Sequence, residues 1–339
     1  MKAVINSIEY YLPEKVISSE QLAAEFPDWP MKKIEGKTGI RERHIAGPDE
    51  CSSDLGLAAA RKLFDSGACK PEAIDYLLLC TQSPDYFLPS TACLLQDRLG
   101  IPTSAGALDF NLGCSGFVYG LSLAQGLIET GQCKRVLLIT AETYSKFIHP
   151  LDKSVRTIFG DAAAATLIEA VEADGGPCIG PFVFGTDGSG GKDLIVATGG
   201  MRLPRSYGTA IAVQAESGNW RSQDNLYMDG PKVFEFTLRT IPGCVAQLLE
   251  KSGKSLEDID RFVFHQANAF MLDHLRQKLG ISSERFSVAL SGCGNTVSSS
   301  IPIAMKDDRD SGRSHGSGLT MLVGFGVGYS WSATLVRWP

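Results

Sequence analysis

A chain of 339 residues, 44% apolar and 21% charged, is long enough to bury a large core and has the balance of a globular protein. Its net charge of -6 argues against general nucleic-acid binding, which needs a basic footprint, and no apolar run approaches the roughly 18–20 residues of a membrane span. Nine cysteines scattered singly, with no C-x-x-C pair and no metal-ligand spacing, imply packed thiols in a reduced cytoplasmic compartment and no bound metal.

In chain order, Met1 to Glu9 alternates like a strand and lacks the apolar stretch and cleavage site of a signal peptide. Tyr11-Leu12-Pro13 reads as a turn, and Ser19 is expected to cap a helix through Glu25. The basic stretch from Lys37 to His44 is expected to be a loop. Ser53 to Ser66 has the spacing of a helix with Leu55, Ala59, Leu63 and Phe64 on one face. Ser83 to Ser90, carrying Tyr86, Phe87 and Leu88, predicts a loop ahead of a helix from Thr91 to Leu99.

The strand-like run Ala105 to Phe110 then leads into Asn111-Leu112-Gly113-Cys114-Ser115-Gly116-Phe117, which opens a helical pattern lasting to about Glu129. A cysteine at such a turn faces unpaired N–H groups and the positive helix end, so Cys114 is expected to favour the nucleophilic thiolate. The adjoining glycines are expected to leave room for a substrate. Standing alone, the same cysteine reads first as one more small buried apolar residue, and it is the rest of the sequence that turns the reading toward a nucleophile.

Arg135 to Thr140 and Ala163 to Ile168 read as strands, and Phe159-Gly160-Asp161 as a close-packed structural element. The Gly-, Ser- and Asp-rich segment from about 186 to 228 is expected to run over the surface beside a substrate entrance. The buried-looking strand Phe262-Val263-Phe264 ends in His265-Gln266-Ala267-Asn268, and a histidine there can face a ligand crevice. A helix carrying Met271, Leu272, Leu275 and Leu279 follows. Gly292 to Thr296 presents the Asn295 amide at a second helix start, and Gly324-Phe325-Gly326-Val327-Gly328-Tyr329 is a glycine-rich turn between strands.

The chain also resembles itself. Pro71 to Asp75 leads into the strand Tyr76 to Cys80 as Leu256 to Asp260 leads into Arg261 to His265. Leu99-Gly100-Ile101 is matched by Leu279-Gly280-Ile281, and the turn at 113–116 by the one at 292–296. A period of about 180 residues implies two copies of one α/β unit, with sheets covered on both faces. The expected division puts Cys114 in residues 1–172, and His265 and Asn295 in residues 173–339. If the copies pack about a pseudo-twofold, all three residues meet at the junction.

Taken together, these pieces resemble the thiolase superfamily, and within it the β-ketoacyl-acyl-carrier-protein synthase III family. Seven motifs occur in family order: Y-L-P near the start, T-G-I-R-E-R-H at 38–44, G-C-S-G at 113–116, F-G-D at 159–161, H-Q-A-N at 265–268, G-N-T at 294–296 and the terminal G-F-G-V-G. The resemblance implies a thiolase-like α/β fold, two pseudo-symmetric halves layered α-β-α-β-α, in a homodimer. It places Cys114, His265 and Asn295 at the catalytic positions, with the backbone N–H groups of Cys114 and Val327 as oxyanion donors. The implied reaction is transfer of an acyl group from acyl-CoA to Cys114, then decarboxylative Claisen condensation with a malonyl thioester carried by acyl carrier protein. Coenzyme A is then a substrate thioester, and no resident cofactor is implied.

Departures from the family pattern fall on substrate-binding positions. Lys37 and Lys153 stand where nucleotide-contacting arginines are common, and lysine lacks the flat surface that stacks on adenine. Phe270, two residues beyond Asn268, replaces the usual carrier-binding arginine, and Leu88 replaces a bulky residue that often limits acyl length. These positions leave open a specialised relative that acylates an alcohol or amine, or condenses an unusual β-keto acid.

Overall fold

The computed structural model describes residues 1–172, 179–313 and 318–338. Strands Lys2–Tyr11 (β1), Tyr76–Cys80 (β2), Gly106–Phe110 (β3), Arg135–Glu142 (β4) and Ala162–Val171 (β5) form one sheet in the order β1-β5-β4-β2-β3. Strands Ile179–Thr186 (β6), Arg261–Phe264 (β7), Leu319–Gly326 (β8) and Ser330–Arg337 (β9) form a second in the order β7-β8-β9-β6. The pairings rhyme. β1/β5 and β5/β4 are antiparallel and β4/β2 parallel, as β6/β9 and β9/β8 are antiparallel and β8/β7 parallel. Where β3 would have its counterpart, Phe286 makes an isolated parallel bridge to Phe262.

Seven helices matter for the site: Met31–Thr38 (α1), Ser52–Asp65 (α2), Thr91–Arg98 (α3), Gly116–Glu129 (α4), Gly230–Ser252 (α5), Ala269–Lys278 (α6) and Ser300–Asp310 (α7). The two that follow the paired turns, α4 and α7, form the middle layer. Phe117, Val118 and Leu121 of α4 and Ile301, Ala304 and Met305 of α7 pack with Ile5, Leu78 and Leu138 of one sheet and Val263, Leu322 and Val336 of the other. α2 and α3 cover the outer face of the first sheet, α5 and α6 that of the second, giving the α-β-α-β-α layering of a thiolase-like fold. Every residue of β4 after Arg135 is buried, as expected of a strand covered on both sides.

Some local expectations are corrected. The helix Ser19–Glu25 is capped by Ser18, not Ser19: the Ser18 hydroxyl accepts from Gln21 N–H and the Gln21 side chain returns to Ser18 N–H, a complete capping box. The stretch from Lys37 to His44 is not a loop throughout. Lys37 and Thr38 end α1, and Glu42–Ile45 pairs antiparallel with Lys15–Ser18. The segment from 186 to 228 contains two-residue strand pairs, Val213–Gln214 with Trp220–Arg221 and Tyr227–Met228 with Leu194–Ile195. The expected division between residues 172 and 173 borders on residues outside those described.

Candidate active site

Cys114 lies on the turn between β3 and α4, two residues before the helix, and is buried. The backbone N–H groups of Val327 and of Cys114 itself favour negative charge on its sulfur. Val327 reaches it because β8 ends against this turn. A Cβ on Gly326 would lie 2.9 Å from Cys114 Sγ, and one on Gly324 2.7 Å from Ser115 Cα, so glycine is needed for the approach. The glycines beside the cysteine are also filled by protein: Gly113 faces Gln82 and Val327, and Gly116 faces Cys80 Sγ. The room expected there for substrate is used for packing.

The thiolate expectation is overturned for the resting site. Burial pushes the Cys114 thiol up to about 12; the Val327 N–H pulls it down, nearby Glu142 pushes it up, and its own N–H pulls it down. Desolvating a buried sulfur outweighs the partial charges at the helix end. Burial likewise pushes the His265 imidazole down to about 3, against the nearby Val297 backbone, which favours the charged ring. At neutral pH the site therefore holds a thiol beside an uncharged ring.

His265 directly follows β7, its N–H donating to Val323 O at 2.8 Å, and its ring packs edge-on against Phe325. Its Nδ1 lies 2.7 Å from Ser300 Oγ, and its Nε2 3.5 Å from Asn295 Nδ2. Asn295 sits in a turn five residues before α7, with a short helical turn, Val297–Ser299, between them, so it does not itself open the helix. Its Oδ1 accepts from Val297 N–H at 2.9 Å, which turns the Nδ2 amide toward the ring. Val297 has a left-handed backbone, φ 54°, an uncommon conformation for a β-branched residue that the surrounding packing must hold. The Asn295 backbone is clamped from both sides, donating to Ile158 O and accepting from Gly160 N–H, while the Asp161 carboxylate takes the N–H groups of Ser145 and Ala46. The Phe159-Gly160-Asp161 motif is thus a support for the Asn295 turn.

Cys114, His265 and Asn295 line a single cavity of about 640 Å³. Lys37, Asn268 and Phe270 line it too; Leu88 and Lys153 do not. Asn268 caps α6 through its side chain, and Lys37 Nζ stands 4.6 Å over the Phe270 ring, which also packs against Phe234. Leu88 belongs to an exposed loop.

Several site neighbours carry no motif in the sequence. Arg221, in the irregular 186–228 segment, lines the cavity and pairs with buried Asp152 at 3.1 Å. Ser300 is one of three consecutive serines. Glu142, at the end of β4, is fully buried and accepts from Gln82 N–H, Ser83 Oγ and Ser298 Oγ. Burial pushes its carboxyl up to about 8 against those three donors. A lone acid closing the apolar run R-V-L-L-I-T-A-E was the one available signal.

The arrangement offers a sulfur between two amide donors, facing a cavity with a second pair of nitrogens from a ring and a carboxamide. Such a set suits covalent acyl transfer with two separate sites for developing negative charge. Residues 249–338 match the family described as 3-Oxoacyl-[acyl-carrier-protein (ACP)] synthase III C terminal, and residues 108–188 the one described as 3-Oxoacyl-[acyl-carrier-protein (ACP)] synthase III. The β-ketoacyl-[acyl-carrier-protein] synthase III of Caldanaerobacter subterraneus is 35% identical over 331 residues, 97% of this chain and 95% of that protein. The chain belongs to the β-ketoacyl-[acyl-carrier-protein] synthase III family. It is an acyltransferase of the condensing class. The synthase III of Lactococcus lactis is 36% identical, with 99% of both chains covered. A crystal structure of a 3-oxoacyl-(acyl-carrier-protein) synthase III superposes with a TM-score of 0.98 at 53% identity, over 100% of each chain. Among the described residues, no helix of this synthase III relative is long and apolar enough to cross a membrane.

Proposed function

We propose that this synthase joins an acyl group from acyl-CoA to the two-carbon unit of malonyl-acyl carrier protein, through an acyl-Cys114 intermediate. The observation that carries the assignment of roles is that Cys114, His265 and Asn295, from both halves of the chain, line one cavity. In the first half-reaction Cys114 sulfur attacks the thioester carbonyl, the C–S bond to CoA breaks, and the thiol proton leaves on the CoA sulfur. The Cys114 and Val327 N–H groups hold the oxyanion formed on the way, each worth about 3 kcal/mol by analogy with other oxyanion donors.

In the second half-reaction the malonyl C–COO⁻ bond breaks, CO₂ leaves, and the electron pair becomes an enolate whose oxygen accepts from His265 and Asn295. The enolate carbon attacks acyl-Cys114, the thioester bond to Cys114 breaks, and the released sulfur takes up one proton, as the raised thiol value favours. Decarboxylation itself supplies the carbanion, so coenzyme A enters as substrate and no resident cofactor is invoked. Lys37, Asn268 and Phe270 would contact the incoming thioester arms. Tyr86, Phe87 and Leu88, exposed at 62%, 75% and 82%, would seat against a second copy, with Leu88 reaching the partner's acyl pocket. A cytoplasmic location fits substrates of this kind.

Intact-mass spectrometry tests the roles. The wild type should gain one acyl mass with acyl-CoA and release CO₂ on addition of malonyl-acyl carrier protein, and Cys114→Ala should gain none. His265→Ala should acylate but lose about 10²–10³ in condensation rate, the usual effect of deleting an oxyanion donor. A His265→Ala protein that fails to acylate would reassign the ring to activation of the sulfur.

A further inference from the structure

Ser300 is buried at the first position of α7, and its hydroxyl stands between two partners. Gln266 N–H donates to Ser300 Oγ at 3.3 Å, and His265 Nδ1 lies 2.7 Å from the same oxygen. A hydroxyl has one proton to give and must place it when buried. Gln266 N–H can only donate, so the ring nitrogen is the acceptor at hand for the Ser300 proton. On the other side of the ring, Asn295 has its Oδ1 engaged by Val297 N–H, so the group 3.5 Å from His265 Nε2 is the Nδ2 amide, a donor. That spacing is too long for a good N–H···N bond, and suits two donors aimed at a common third atom.

We infer that Ser300 sets the tautomer of His265, accepting from Gln266 N–H and donating to Nδ1, so that the ring carries its single proton on Nε2 and offers it to the cavity beside the Asn295 amide. Ser300 is then a positioning residue for the condensation half-reaction. Had the proton been on Nδ1, Nε2 would present a lone pair to the enolate oxygen and repel it. The two ring nitrogens are chemically distinct, and the hydrogen bond made by one decides what the other can do. The inference rests on His265 serving as an enolate donor, as proposed above. It also predicts that an Nε2 already bearing its proton does not take the one on Cys114, so acylation is independent of Ser300.

Two measurements separate this role from mere packing. In Ser300→Ala, acylation by saturating acyl-CoA should stay within about twofold of wild type, while kcat for condensation falls about tenfold or more at near-constant KM for the malonyl thioester. Ser300→Cys, which keeps a weak donor of similar size, should recover part of the loss. The second readout needs no variant at position 300. With ¹⁵N-labelled histidine, the five rings give separable nitrogen pairs, and the pair missing in His265→Asn should show a protonated Nε2 and a bare Nδ1. A protonated Nδ1 in wild type, or acylation falling in step with condensation in Ser300→Ala, would overturn the inference. A wild type that acylates but releases no CO₂ would sink the condensation reading instead, while the ¹⁵N signals still decide the tautomer.

Discussion

A buried thiol pushed up to about 12 and a buried imidazole pushed down to about 3 leave the sulfur and the ring uncharged at neutral pH. This inverts the common image of a ready ion pair and puts the emphasis on donors that act once a charge begins to form. The burial that raises the thiol also strengthens each N–H···O⁻ contact with an oxyanion. The sign is checkable by alkylation. Because deprotonation of Cys114 is disfavoured, its rate of modification by iodoacetamide, mapped to the Cys114 peptide, should keep rising with pH beyond about 8.5, the value of a free cysteine. A plateau below that pH would mean that the Val327 and Cys114 amides outweigh burial. His265 has the opposite linkage. Its folded value lies below its ordinary 6.5, so the stability it contributes is present above about 6.5 and is lost as pH falls toward about 3.

At the level of elements, the end of β8 and the turn before α4 are built to interlock, and glycine is what allows it. Gly326→Ala would place a methyl group 2.9 Å from Cys114 Sγ, and Gly324→Ala one 2.7 Å from backbone. Gly326 also meets Cys114 Cβ at 2.9 Å and holds φ 158°, which strains any residue with a side chain, so Gly326→Ala should lose stability and also acylate at least about tenfold more slowly, whereas Gly324→Ala should lose about 1–3 kcal/mol of stability by overpacking with a smaller effect on acylation. Acylation rates and urea midpoints of the two variants check this; equal effects on both would deny that the two glycines differ. Much of this layer was legible in the sequence, because a strand, a small-residue turn and a 3.6-period helix around Cys114 are local patterns. So was the end of β7 just before His265. What the sequence hid is held by contacts between distant residues: Val327 against Cys114, Ser300 against His265, and the pairing of Glu42–Ile45 with Lys15–Ser18 that made a strand of an expected loop. Ser18 displaced Ser19 as cap for a local reason, since only Ser18 stands three residues before a glutamine that can answer it.

For the whole molecule, the internal repeat became two sheets with the same run of pairings, and the middle helices α4 and α7 bring their preceding turns to one cavity. Glu142 ties those turns together. One carboxylate oxygen takes Gln82 N–H and Ser83 Oγ, where Gln82 packs on Gly113 just before Cys114; the other takes Ser298 Oγ, three residues past Asn295. Burial raises its folded value from 4.5 to about 8, so between those limits the folded chain holds a proton that the unfolded chain has lost. Stability linked to Glu142 is therefore full below about 4.5 and drains away as pH rises through about 8, by at most about 5 kcal/mol. Glu142→Gln removes the titration while keeping the shape and an acceptor, since the serine hydroxyls can turn to meet the new amide. Measured by urea unfolding across that range, the variant should compare worst with wild type at the acid end, where the native side chain is already neutral, and should gain on it steadily toward pH 9. A stability difference that stays constant with pH would mean that the three donors keep Glu142 ionised in the fold, and that the seam between the halves is held by a charge rather than by a protonated acid.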